Sequence, residues 1–515
     1  MVADYRAILR EHWGYPDFRG IQREIIESIG AGKDTLGLMP TGGGKSITFQ
    51  VPALAMEGVC LVITPLISLM KDQVDHLRRR GIRAAAIHAG MQRSDIVQTL
   101  ENAVFGGVKL LYISPERLGS ELFLAKLRHM RVSFVTVDEA HCISQWGYDF
   151  RPSYLEIAKI RQLLPEIPIL ALTATATPAV VEDIQRQLQF RTPNVYKMSF
   201  ARANLSYIVR RTMDKEAELL HILRQTSGSS IVYTRSREAT RELAKMLMQQ
   251  GISATWYHAG LEPSVKEERQ NLWQTDKVRV MVATNAFGMG IDKPNVRFVI
   301  HYNMPKDLES YYQEAGRAGR DGQPARCTLL YSGTDVRTIR FFIDKELEAD
   351  NGLPADVKAE AARKAEERLK YMTFYSTTQK CLRGFLLQYF GEAAPQKCGN
   401  CSCCLAAEQE VQIRLDASHQ RAGANAKRLS HNSLALSASD EKLLGKLYDV
   451  RKRLAGKWNV PAFNIFSDGV LREMTEKKPR DMDELIRLNG VGEHPAEKYG
   501  KHFLTVINRE IGSRE

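Results

Sequence analysis

The run Pro40-Thr41-Gly42-Gly43-Gly44-Lys45-Ser46 sets three glycines directly ahead of a lysine and a hydroxyl. Glycine lets a backbone wrap closely around an anion in conformations that other residues avoid. An apolar stretch follows, so the loop should open into a helix whose first N–H groups face the same anion. Lys45 is then placed to neutralise the terminal phosphates of a nucleoside triphosphate, and Ser46 to ligate Mg²⁺. One departure stands out: the strict G-x-x-x-x-G-K spacing asks for glycine where the chain has Met39.

A second cluster lies about a hundred residues on. Asp138-Glu139-Ala140-His141 closes the apolar run Phe134–Val137. Ligands of α/β sheets sit at the carboxyl ends of strands. Asp138 can share the Mg²⁺ with Ser46, and Glu139 can orient or deprotonate an attacking water. Ser144–Pro152 then brings Trp146, Tyr148, Phe150 and Arg151 into one short loop. Such a loop offers bases a stacking platform and a cation. Core packing is the alternative use of these aromatics, but Gly147, Asp149 and Pro152 punctuate the stretch as a loop.

Downstream, Arg317 and Arg320 are three residues apart and would share one face if the segment is helical. A guanidinium from a facing lobe stabilises charge on a departing γ-phosphate, and only when the lobes close. Of eight cysteines, Cys398, Cys401, Cys403 and Cys404 are clustered, and Cys381 precedes them. Four thiolates with tight C-x-x-C steps suit tetrahedral Zn²⁺, while an iron–sulfur cluster or a disulfide pair are the rival uses.

These groups need a scaffold. Strand runs are expected at Thr35–Met39, Val59–Thr64, Lys109–Ile113, Phe134–Val137 and Ile169–Leu172. A second set is expected at Ser230–Tyr233, Ala254–Tyr257, Val278–Ala283, Val296–Ile300 and Cys327–Tyr331. Amphipathic stretches separate them, the pattern of parallel α/β sheets in two successive lobes joined near Ser199–Tyr207. Lys345–Phe390 reads as charged helix, 406–437 as a polar linker, and Ala438–Glu515 as a small all-α domain.

Composition narrows the class. The chain has 515 residues, enough for three or four domains, with 44% apolar and 26% charged residues. It lacks the long apolar run of a membrane span, and its N-terminus lacks the apolar core of a secretory signal. A cytoplasmic or nucleoid location is expected. The net charge of +12 favours a polyanionic partner.

Taken with the motif order, the chain resembles the RecQ helicases of superfamily 2, which carry an aromatic-rich loop directly after their D-E-A-H tetrad. Tyr15-Pro16-Asp17-Phe18-Arg19 and Gln22 resemble the family's adenine-reading motif, implying that Tyr15 stacks on adenine while Arg19 and Gln22 bond to it. Thr64-Pro65-Leu66 through Gln73 and Ser114–Arg117 resemble strand-gripping motifs. Thr173-Ala174-Thr175-Ala176 resembles the motif coupling hydrolysis to lobe movement. Ser199-Phe200, Arg202 and Asn204-Leu205 resemble the lobe junction. Ala283–Lys293, with Gly290 and Asp292 toward the nucleotide, and Gln313–Gly322 resemble the last two motifs, Arg320 being favoured for the γ-phosphate and Arg317 for support.

The resemblance implies two RecA-like lobes with ATP between them and a zinc-binding helical platform held by Cys381, Cys398, Cys401 and Cys404, with Cys403 a bystander. It also implies 3′→5′ movement on single-stranded DNA, with Trp146, Phe150 and Arg151 reporting strand binding through His141. The expected domains are 1–205, 206–345, 346–405, the linker 406–437 and 438–515. Expected partners are single-stranded DNA, forks or junctions, and single-strand DNA-binding protein as a candidate, with no membrane.

Many RecQ proteins carry a winged-helix domain after the zinc module. Only about 35 residues separate Cys404 from Asp440, where such a domain needs roughly 60 or more, so it is expected to be absent or vestigial. Asp440–Arg509 resembles the HRDC domain through Leu447, Arg451, Leu454, Val460-Pro461, Ile465–Asp468, Leu485, Gly490-Val491-Gly492, Tyr499-Gly500 and Phe503-Leu504. Lys498 and Lys501 would assist a phosphate contact there. Three alternatives stay open on sequence: an RNA helicase, a scaffold without catalysis, and a DNA-stimulated translocase that separates strands poorly.

Overall fold

The computed structural model describes residues 4–65, 67–144, 147, 149–288, 293–348, 355–406, 438–458, 465–466, 468–488, 491 and 493–512. The chain divides into two units, Met1–Leu415 and Asp416–Glu515, each described by itself.

The first unit contains two parallel sheets. The first sheet comprises β1 (Thr35–Leu38), β2 (Val59–Ile63), β3 (Ala84–Ile87), β4 (Leu110–Ile113), β5 (Val132–Val137), β6 (Ile169–Thr173) and β7 (Val195–Lys197). Their spatial order is β3-β4-β2-β5-β6-β1-β7. The second sheet comprises β8 (Leu205–Arg211), β9 (Ser229–Tyr233), β10 (Ala254–Tyr257), β11 (Val280–Ala283), β12 (Val296–His301) and β13 (Ala325–Tyr331), ordered β10-β11-β9-β12-β13-β8.

Helices cover both faces of each sheet, so the central strands are buried throughout and read as unbroken apolar runs. One face of the first sheet packs Leu38, Ile63, Ile113 and Val137 into one core. The other packs Leu170, Leu172 and Phe134 against the helix Ile47–Ala55 through Phe49 and Ala53.

All ten expected strands are present, with ends shifted by a few residues. β3, β7 and β8 were not expected. Ala84–Ile87 is mostly alanine, Val195–Lys197 is three residues long with two exposed, and β8 alternates buried and half-exposed positions. All three lie on sheet edges, where packing against one neighbour replaces a strong apolar signal. The second sheet begins at Leu205, inside the expected junction.

The helices Gly333–Glu348, Ala355–Thr377 and Leu382–Tyr389 follow the second sheet. Leu369, Met372 and Tyr375 share one core with Tyr207, Tyr311 and Leu329 of the second lobe, together with Cys381, Cys401 and Cys404. The helical platform is therefore continuous with that lobe's interior.

In the second unit, helices Ala438–Trp458, Asp468–Lys477, Met482–Ile486 and Glu493–Gly512 enclose a core including Leu447, Leu454, Phe466, Leu471, Leu485 and Phe503. Arg451 Nη1 donates to the Phe466 carbonyl at 2.8 Å, tying the first helix to the following loop. Lys498 and Lys501 are exposed, while Val460, Pro461, Ser467, Gly490 and Gly492 lie outside the described residues, as does the expected linker beyond residue 406.

Among the described residues, no helix is long and apolar enough to cross a membrane.

Candidate active site

The three motifs of the first lobe converge because β5, β6 and β1 are neighbours. Thr41–Ser46 follows β1, Asp138–His141 follows β5, and Thr173–Ala176 follows β6, so all three lie at the carboxyl ends of adjacent parallel strands. Gly42 and Gly44 adopt left-handed φ of 82° and 76°, which shapes the loop before the helix Ile47–Ala55. Met39 is fully buried, so the missing glycine of the strict pattern is a core position, with the tight turn moved to Gly42–Gly44.

Lys45 Nζ lies 3.3 Å from Glu139 Oε1. Burial opposes the charge of Lys45, but Glu139 and Asp138 outweigh it and raise its pKa. Burial equally opposes Glu139, and Lys45 with His141 holds that carboxyl below its usual range. Asp138 goes the other way: burial pushes it up to about 6 against the pull of Lys45. Glu139 sits at φ 48°, ψ 46°, a left-handed conformation uncommon for a side chain of its size. The turn aims its carboxylate back at the glycine-rich loop. Held strain of this kind occurs where geometry serves chemistry.

His141 is buried, and burial lowers its pKa. Its Nδ1 hydrogen-bonds Thr173 Oγ1 at 2.9 Å and lies 3.4 Å from Glu139 Oε2. The histidine thus physically joins the D-E-A-H turn to the Thr173–Ala176 motif. Phe150 and Arg151 are half-buried, and Arg151 Nη2 pairs with Asp149 at 2.9 Å. Trp146 lies outside the described residues, as do Gly290 and Asp292.

Tyr15 is exposed, with the Arg19 guanidinium 5.4 Å from its ring centre. Gln22 does more than present an amide edge. Its Oε1 accepts from the Arg19 N–H at 2.8 Å, and its Nε2 donates to the Gly43 and Gly44 carbonyls at 3.2 and 3.1 Å. A side chain at Gly44 would strike that amide. The Tyr15–Gln22 segment is thereby fastened to the phosphate loop itself.

From the second lobe, the helix Leu308–Ala315 ends just before the two arginines. Residues 316–320 form turns, so the helical condition for a shared face of Arg317 and Arg320 is not met, and the two reach different partners. Arg317 is buried and donates to the Gly288 carbonyl. Arg320 lies across the phosphate loop, where a Cβ on Gly42 would meet its Cγ at 3.3 Å. Its charge reaches Lys45, while that of Arg317 reaches Glu139. A small cleft of about 170 Å³ between the lobes is lined by Pro65, Glu139, His141, Arg151, Asn285 and Arg317.

Sequence reading placed Arg202 in the junction motif but gave it no partner. From the connection between the sheets it donates to the carbonyls of Thr41 and Gly316 at 3.3 Å and of Ala318 and Gly319 at 3.0 Å. Asn204 Nδ2 adds bonds to Gly319 and Gln323. The junction motif contained both residues, but carbonyl acceptors leave no side-chain signature in a sequence.

The sulfurs of Cys381, Cys398, Cys401 and Cys404 all lie within 4.8 Å of one another. Backbone N–H groups of Leu382, Gly384, Cys398 and Asn400 approach these sulfurs at 3.4 Å. Such donors stabilise thiolates, and four converging sulfurs fit tetrahedral Zn²⁺. Cys403 instead points to the Thr378 carbonyl. Next to this centre, Glu392 accepts from Ser199 Oγ at 2.8 Å and from the Phe200 N–H at 3.0 Å, and Phe390 stacks on Phe200. The zinc module therefore grips the connection between the lobes.

Two parallel lobes, with a phosphate loop on one and arginines reaching it from the other, define a two-lobe P-loop motor of the DEAD/DEAH-box class. Models of the DEAD/DEAH box helicase and the helicase conserved C-terminal domain match residues 19–184 and 214–322. Those of the RecQ zinc-binding and HRDC domains match 333–405 and 440–507. The ATP-dependent DNA helicase RecQ of Bacillus subtilis is 37% identical, with 98% of this chain and 99% of that protein aligned. Its counterpart from Pasteurella multocida is 35% identical, over 98% and 93%. The chain belongs to the RecQ family of ATP-dependent DNA helicases. The fold is also shared with yeast Dbp5 bound to RNA and ADP BeF3, at a TM-score of 0.51 and 17% identity, covering 70% of this chain and 97% of that one.

Proposed function

We propose that this chain couples ATP hydrolysis to 3′→5′ movement along single-stranded DNA and to duplex separation, in recombination, repair or replication restart. The observation that carries this reading is the meeting of Lys45, Glu139 and Arg320 at one loop from two separate lobes. A site divided between lobes completes itself only when they close, which ties chemistry to motion.

Lys45 holds the β- and γ-phosphates once they displace Glu139 from it. Thr41 Oγ1 is buried without a hydrogen-bond partner at the phosphate loop, a donor that a phosphate oxygen satisfies. Ser46 and Asp138 are the residues that would hold Mg²⁺, which supplies neutralisation of phosphate charge when bound. Glu139, released from Lys45, accepts the proton of the attacking water. Arg320 stabilises the charge on the leaving γ-phosphate, with Arg317 in support. Tyr15, Arg19 and Gln22 recognise adenine, and Gly290 and Asp292 complete the nucleotide site from the second lobe. Phe150 and Arg151, with Trp146, contact the strand, and His141 carries that contact to Glu139 and Thr173. Arg235, Asn285, Asn303 and Lys306 line a cavity of about 450 Å³ at the ends of β9, β11 and β12, fit for strand phosphates. Cys381, Cys398, Cys401 and Cys404 would hold structural Zn²⁺. Single-strand DNA-binding protein is a candidate partner, and the protein works in the cytoplasm or on the nucleoid.

A second reading rests on spacing. The zinc and HRDC matches leave only residues 406–439 between them, too few for a winged-helix wedge. A translocase that separates strands poorly fits that gap. The test is strand separation on a fork with a 3′ single-stranded arm, read beside DNA-stimulated ATP hydrolysis. Both activities, lost together in Lys45→Ala, support the helicase. Stimulated hydrolysis without separation establishes the translocase instead.

A further inference from the structure

The guanidinium of Arg202 occupies an unusual position. Residues 198–204 connect β7 of the first sheet to β8 of the second, so Arg202 belongs to the hinge itself. Its Nη1 donates to the carbonyl of Thr41, in the phosphate loop of the first lobe, and to that of Gly316 in the second. Its Nη2 donates to the carbonyls of Ala318 and Gly319. Gly316, Ala318 and Gly319 bracket Arg317 and immediately precede Arg320. One planar fork thus spans both lobes at the point where the phosphate loop meets the arginine-bearing turn.

The packing around it is close. A Cβ on Gly316 would collide with Thr41 Oγ1, and Arg320 already lies on Gly42. Beyond the helix end, the carbonyls of a turn are held by partners of this kind. Three of the four carbonyls belong to the turn after the helix Leu308–Ala315, where carbonyls lack intrahelical donors. The hinge is braced from behind as well: Arg383 Nη2 of the zinc module donates to the Ala203 and Leu205 carbonyls at 3.2 and 2.7 Å, either side of Asn204.

We infer that Arg202 is a positioning residue that transmits the state of the phosphate loop to Arg317 and Arg320. It touches no reacting atom. It fixes the turn carrying the two arginines relative to Thr41, so a shift of the loop around phosphate moves the turn with it. This rests on the reading that the site hydrolyses ATP. Lysine keeps the charge but cannot span four carbonyls in a fork, so Arg202→Lys removes the geometry and leaves the cation.

The experiment uses the full chain with saturating single-stranded DNA. ATP kcat and KM, thermal stability and hydrogen exchange of residues 312–324 with and without Mg-ADP are measured for wild type, Arg202→Lys and Arg202→Ala. Arg202→Lys should lose about tenfold or more in kcat, with KM changed by less than about threefold, the signature of a contribution realised in the transition state. Mg-ADP should alter exchange of the 316–322 turn in wild type and much less in Arg202→Lys. A wild-type kcat in Arg202→Lys overturns the inference. So does an exchange response in that variant equal to wild type. Should neither variant fold, the wild-type exchange decides: no response of the turn to Mg-ADP overturns the inference. A wild-type chain that binds Mg-ADP but hydrolyses no ATP sinks the functional reading instead, and the exchange response still judges Arg202.

Discussion

Lys45 and Glu139 are ion-paired at 3.3 Å, ninety-four residues apart in sequence and both largely buried. In the proposed mechanism the two partners handle phosphate and water separately. Each side chain satisfies the other's charge, which avoids leaving a lone buried ion. Lys45→Ala should therefore cost both partners their function, lowering kcat by roughly 10³-fold or more. Glu139→Gln should bind ATP with little change in affinity while losing kcat to a similar degree, since only the proton acceptor is removed. Equilibrium nucleotide binding beside steady-state hydrolysis checks this, and a large loss of ATP affinity in Glu139→Gln would contradict it.

The divergence of Arg317 and Arg320 predicts unequal variants. Arg320 lies over Gly42, whereas Arg317 is buried against the Gly288 carbonyl. Arg320→Ala should lose roughly 10³-fold in kcat with a smaller change in thermal stability, as a half-buried charge-stabilising finger would. Arg317→Ala should also lower the melting temperature, because its removal leaves a buried carbonyl unpaired. The converse ranking of the two melting temperatures would reverse the assignment of roles.

The four-sulfur cluster predicts a contrast between neighbouring cysteines. Cys401 and Cys404 are buried in the core shared with the second lobe, and Phe390 and Glu392 beside them hold Phe200 and Ser199 of the hinge. Chelation, or Cys401→Ala, should lower thermal stability and DNA-stimulated hydrolysis together. Cys403→Ala should leave zinc content at one ion per chain, measured by elemental analysis. Zinc lost equally from both variants would show that the four-sulfur assignment is wrong.

The candidate site residues were legible because the chemistry proposed for them dictates their type: glycine, lysine and serine for phosphate, paired acids at a strand end, four cysteines. Central strands were legible because both their faces are covered, which demands unbroken apolar runs. Edge strands such as Ala84–Ile87 lacked that demand. Whether 316–320 is helical stayed open in the sequence, since the spacing of Arg317 and Arg320 imitates a helix turn. Gln22 and Arg202 act on backbone carbonyls, which any residue supplies, so their partners emerged only in three dimensions.

Glu309 provides a test of pH dependence away from the nucleotide. It is 3% exposed, accepts from Tyr389 Oη at 2.7 Å through Oε1, and leaves Oε2 without a hydrogen-bond partner. Burial, reinforced by the nearby Asp307, pushes its pKa up to about 7 against the hydrogen bond from Tyr389 and, least, the charge of Arg368. A carboxyl whose folded pKa lies above its unfolded value binds its proton more tightly in the native state. Its contribution is therefore favourable below the unfolded pKa, is lost as pH rises to about 7, and stays lost above that. The loss is on the order of 1–3 kcal/mol. Glu309→Gln keeps an acceptor for Tyr389 and cannot ionise. Its melting temperature should match wild type near pH 5 and exceed it by a few degrees near pH 8. Thermal unfolding of both proteins across that range decides the matter: a constant offset at every pH would mean that Glu309 does not change its protonation there, and that another group shares its charge.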